Sequence, residues 1–114
     1  MRNNEHLIEL RGKVVAVCES IIREEIGVIV GARKLTSLGF EMFGKHDEDF
    51  LQFAAIDSET DHLPVDNERK NWSLESLEQK DKEIEEYEIA TKAEVFEACK
   101  ILIKRFNDFK TDPF

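Results

Sequence analysis

A chain of 114 residues with 41% hydrophobic and 36% charged side chains carries enough apolar material for one core and not for two. Two prolines and five glycines, with no proline between Val65 and Asp112, exclude a sandwich of short strands and frequent turns and predict long helices. A net charge of −9 argues against nucleic acid and anionic membrane as partners.

In chain order, residues 4–25 read as a first helix. Leu7, Leu10, Val14, Val17 and Ile21 recur at helical steps, with Ile8, Val15, Cys18 and Ile22 on the neighbouring stripe. Asn3 or Asn4 suits its N-cap. Gly27 ends that helix or lies in a bend. Val28, Ala32, Leu35 and Leu38 or Gly39 give a second helix, in which Gly31 allows close packing and after which Gly44 is the natural stop. The run "KHDEDFLQFAAI" predicts a short third helix. Asp47 is its cap, Glu48 and Asp49 occupy its first turn, and Phe50, Leu51, Phe53, Ala54 and Ile56 form its buried side.

A fourth helix starts at Leu74 behind Ser73 as N-cap, and the placing of Trp72 and Leu77 is that of a hydrophobic staple. Its stripe of Ile84, Tyr87, Thr91, Val95, Ala98, Leu102, Phe106 and Phe109 extends it to about residue 109. Such a helix is roughly 50 Å long. That length overhangs a domain this small, so a kink or break within 78–90 is expected, with "EQKDKEIEEYE" a largely solvated half. The fold expected is an all-α single domain over 1–114, a compact bundle of about four helices with a long C-terminal helix.

The acid is concentrated. Residues 1–40 carry 6 Lys/Arg and 5 Asp/Glu, residues 41–90 carry 5 and 16, and residues 91–114 carry 5 and 4. At the centre of the acidic stretch stands "AIDSETDHLPVDNERKNW". Asp57, Glu59 and Asp61 take positions 1, 3 and 5 of a calcium loop and Glu68 takes position 12. The match fails at position 6, where His62 replaces the glycine of the sharp turn, and at Pro64. A looser divalent-cation site, or a catalytic use of His62 with Asp57 or Asp61, is the alternative reading. No glycine-rich phosphate loop, GxSxG, HExxH or CxxC is present, so no cofactor and no enzyme class is indicated. Read as structure, Asp57, Ser58, Thr60 and Asp61 cap helix ends while Leu63 and Val65 pin the loop to the core. Read as function, Asp57, Glu59, Asp61, Asp66 and Glu68 are contacts for a basic partner, with Trp72 as their aromatic neighbour.

Cys18 and Cys99 each sit in an apolar helical pattern, and buried thiols are expected over a disulfide. Neither a signal-type apolar run nor a membrane span appears, which predicts a soluble cytoplasmic protein.

The segment "GVIVGARKLTSL" followed by "FLQFAAIDSETDHLPVDNERKNW" resembles a group of small, uncharacterised bacterial helical proteins, most specifically over Asp57–Pro64 with Trp72. That likeness implies no activity. In size, acidity and helical content the chain is also similar to bacterial immunity proteins, which implies an inhibitor of a basic toxin domain. A homodimer packed through the C-terminal helix is the remaining expectation.

Overall fold

Leu10, Val14, Cys18 and Ile21 are all buried and define the inner face of α1 (Asn4–Ile22). The computed structural model describes residues 4–111. Asn3 and the side chains of Asn4, Asp66 and Phe109 lie outside the described residues. Three more helices follow: α2 (Val28–Phe43), α3 (Leu51–Glu59) and α4 (Leu74–Thr111). Single 3-10 segments at Glu48–Phe50 and Asp66–Asn71 lead into α3 and α4. Among the described residues there is no strand, and the all-α bundle with its long last helix is as expected. No helix is long and apolar enough to cross a membrane.

One core joins α1, α2, α3 and the second half of α4, built from Leu10, Ala32, Leu35, Phe53, Val95, Leu102 and Phe106 among others. Cys18 of α1 and Cys99 of α4 meet in it as free thiols. Their mutual hydrogen bond and their burial push the Cys18 thiol far above its ordinary range. Leu51, expected inside, is half exposed because it stands on the opposite side of α3 from Phe53.

The first helix ends three residues earlier than its pattern suggests. Glu24 takes a left-handed conformation at φ 60°. The N–H of Glu25 returns to the Ser20 carbonyl and that of Glu24 to Ile21. This is the hydrogen-bond pattern of a helix stop usually made by glycine, here made by a glutamate that pairs with Lys92 of α4. Gly27 is therefore not the stop of α1 but the N-cap of α2, in extended backbone. It offers no side-chain cap. Glu88 of α4 supplies the missing acceptor, taking the Ile29 N–H on Oε2 at 3.3 Å. A Cβ at Gly27 would come within 2.5 Å of that carboxylate. The negative group at the positive end of α2 ties α4 to it.

Gly44 closes α2 in the left-handed region, its N–H bonded to Phe40 at 2.7 Å. Asp47 caps the turn into α3, accepting from the Asp49 N–H at 3.0 Å. Arg105 of α4 clamps that turn, reaching Asp47 and Asp49 at 2.8 Å each, while its guanidinium lies over the rings of Phe43 and Phe106.

No break interrupts α4. Its 38 residues span a molecule measuring 54 × 29 × 22 Å. The expected break does not occur because one side of the first half has a surface to rest on, while most of its residues are exposed, as expected. Ile29, Leu63 and Val65 form a second small core, and Ile84 and Tyr87 pack on it. Ser73 caps the helix start, accepting from the Ser76 N–H at 3.2 Å.

Two tests follow from this packing. A Cβ on Gly31 would fall 2.4 Å from the buried Ile21 side chain, whereas one on Gly12 meets nothing within 4 Å. Urea denaturation is expected to show Gly31→Ala less stable by about 1–2 kcal/mol and Gly12→Ala more stable by about 0.5–1 kcal/mol. The second test concerns acid. The hydrogen bond from Arg105 holds the Asp47 carboxyl below its ordinary value of 3.8, against the opposing effect of burial. A depressed folded value stabilises above the unfolded value and is lost as pH falls through the folded one. Between about pH 5 and 2, Arg105→Gln is expected to lose less stability than the wild type by about 1 kcal/mol.

Candidate functional site

The loop after α3 is organised by a residue from outside it. Arg33, in the middle of α2, donates through Nη2 to the carbonyls of Thr60 at 2.8 Å and Leu63 at 3.3 Å. Its Nη1 donates to Glu68, and Asp57 Oδ1 lies 3.7 Å from its Nε. Two of the acids expected to face a partner therefore face Arg33. The carboxylates at loop positions 1 and 12 do converge, and a guanidinium occupies the point of convergence.

The remaining loop residues divide between support and exposure. Glu59 accepts from the Tyr87 hydroxyl at 2.8 Å. Burial first, and this carboxylate second, push Tyr87 up to about 12. Thr60 is buried, and its hydroxyl donates to the Ile56 carbonyl at 2.6 Å. Leu63 and Val65 are buried and anchor the loop, as expected. Asp61 is exposed, the side chain of Asp66 lies outside the described residues, and Trp72 is exposed beside Ser73.

His62 does not meet Asp57 or Asp61. Its Nε2 lies 3.1 Å from Glu83 of α4. Glu83 is held below the usual carboxylate range by that contact and by Lys80. Farther along, Arg69 forms a bidentate pair with Asp81 at 2.6 and 3.0 Å and also reaches the Pro64 carbonyl at 3.4 Å. The hydrogen bond lowers the Asp81 carboxyl and raises Arg69. Three contacts thus lash the loop to the first half of α4: Glu59 to Tyr87, His62 to Glu83, and Arg69 to Asp81. Among the described residues no three of His, Cys, Asp and Glu stand close enough to share a metal ion.

The acids left facing outward lie elsewhere than the sequence pattern suggests. Glu75, Glu78, Glu85 and Glu86 are exposed along the first half of α4. Like Asp61 on the loop they are exposed, and with Lys82 among them they leave the first half of α4 net negative. Arg33 and Glu88, which position the loop and the helix, escaped the sequence reading. A signal for Arg33 exists in hindsight: with Lys34 it makes a pair of cations between the buried Ala32 and Leu35, upstream of an acid-rich loop. Glu88 has a weaker one, the capless glycine at the start of α2.

No family model, no curated protein and no solved structure matches this chain. The geometry of the site is therefore what a functional reading has to rest on.

Removing Arg33 separates its structural role from any other. Arg33→Met is expected to cost about 2–3 kcal/mol, because it leaves two partly buried carbonyls and the Glu68 carboxylate without their donor and Asp57 without its counter-charge. Amide hydrogen exchange should quicken over residues 60–72 and stay unchanged at Leu10, Leu35 and Leu102.

Proposed function

We propose that this is a non-enzymatic binding protein whose acidic middle segment captures a basic partner protein, in the manner of an immunity or antitoxin-like inhibitor. The observation that supports it is where the uncompensated acid lies. Residues 41–90 carry 16 acids against 5 Lys/Arg. Arg33, Arg69 and Lys80 are already committed to Asp57, Glu68, Asp81 and Glu83, and Lys82 is the base that stands among the exposed glutamates of α4. What remains outward is Asp61 on the loop and Glu75, Glu78, Glu85 and Glu86 on α4, with Trp72 exposed just before that helix.

Such a face acts at a distance. It raises the encounter rate with a positive surface, opposes negative ones, and loses its reach as salt shortens the Debye length to about 8 Å at physiological ionic strength. A partner domain built to grip nucleic acid presents the complementary surface, and covering that surface blocks its own substrate. Rigidity helps. The helix that displays the acids is fastened at Glu88, Tyr87, Glu83 and Asp81, so little ordering entropy is spent on contact.

The test is capture with the tagged protein from an extract of the cells that make it, followed by kinetics with the partner obtained. The expected partner is basic and leaves in high salt. Asp61→Lys, Glu78→Lys and Glu86→Lys combined should slow association by about tenfold and flatten its salt dependence. A partner that is acidic, or an association rate that the triple variant leaves unchanged, defeats the electrostatic reading.

A further inference from the structure

A groove of about 510 Å³ opens between the α1–α2 joint and the middle of α4. Ile26, Ile84, Ile89 and Phe96 give it apolar surface, and Ile89 stands 68% exposed. Five carboxylates line it, those of Glu24, Glu25, Asp81, Glu85 and Glu88, against the single base Lys92. That base is already paired with Glu24. Asp81 and Glu88 are fixed by Arg69 and by the Ile29 N–H. Glu25 on the joint and Glu85 on α4 have no ion-pair partner among the described residues, and they belong to opposite walls.

From Asp81 to Phe96 the groove follows α4 for about 22 Å, the length of about four turns of helix. These features restrict what can lie in it. An anion is repelled by the walls. A neutral apolar ligand would strip water from the carboxylates and return nothing for it. A small polar cation leaves the isoleucines and Phe96 wet. A helix with an apolar stripe flanked by lysine or arginine satisfies both surfaces, since its long basic side chains lay their methylenes along the walls and their charges against Glu25 and Glu85.

We infer that this groove is the docking site for a basic amphipathic helix of the partner protein. The inference rests on the acidic-binder reading and assigns that reading a place on the molecule. It differs from the Asp57–Trp72 loop, whose acids are largely consumed in holding the fold.

The probe is a synthetic helix of about eighteen residues, with leucines at i, i+3, i+4 and i+7 and lysines elsewhere, titrated into the full chain by calorimetry with amide shifts followed by NMR. Shifts should concentrate at residues 21–28 and 81–96. Ile89→Gln, and separately Glu25→Lys with Glu85→Lys, should each weaken binding by about tenfold or more. Glu5→Lys with Glu94→Lys, an outward pair outside the groove, changes the net charge equally and should weaken it by less than about threefold. All five positions are exposed, so the fold is retained. If the outward pair weakens binding as much as the groove pair, the groove is not the site, while the general electrostatic reading stands. If a lysine peptide lacking the leucines binds equally well, the apolar part of the inference is overturned. If the peptide binds without dependence on salt or on any of these charges, both readings fall.

Discussion

Arg33 projects from the middle of α2 and donates to the carbonyls that end α3 and open the following loop, while pairing with Glu68 and Asp57. Those bonds fold the loop down, which places Leu63 and Val65 against Ile29. The small core so formed is the surface on which Ile84 and Tyr87 of α4 rest. Without that support Ile84 would lose the surface it rests on, and Tyr87 would keep only its contact with the main core. A half-buried guanidinium is an economical way to hold such a segment. It satisfies two main-chain acceptors that a turn of helix has no means to reach, and it neutralises two acids that would otherwise repel each other.

The same arrangement sorts the acids into two populations. Asp47, Asp49, Asp57, Glu59, Glu68, Asp81, Glu83 and Glu88 hold elements together. Glu75, Glu78, Glu85 and Glu86 are exposed along α4. Local charge density in the sequence does not distinguish the two, since both occur in the same run. What distinguishes them is whether a base from another element arrives within hydrogen-bond distance. The outward field is set mainly by the second population, so it is strongest along α4 rather than on the loop where acids first catch the eye.

Helix termini show how far local chemistry reaches. Asp47, Ser73 and Gly44 cap where their residue types say they should, because a cap is satisfied within a few residues of itself. Glu24 and Gly27 do not follow the local rule. A glutamate takes the left-handed position that glycine prefers, and the glycine beside it is left without a side-chain cap. Both departures are compensated by α4, through Lys92 in one case and Glu88 in the other.

The sequence by itself determined the helical class, the positions of the four helices to within a few residues, and most of the core. Leu10, Val14, Leu35, Phe53, Val95, Leu102 and Phe106 are buried where their period puts them. These properties follow from spacing along one helix, which is local. Only the tertiary structure decided that α4 runs unbroken, that Asp57 and Glu68 close on Arg33, that His62 turns to Glu83, and that a groove opens beside Glu25 and Glu85. Each of these depends on side chains from elements far apart in the chain meeting at hydrogen-bond or packing distance. Such meetings are set by how the helices pack, and the period of any single helix carries no record of them.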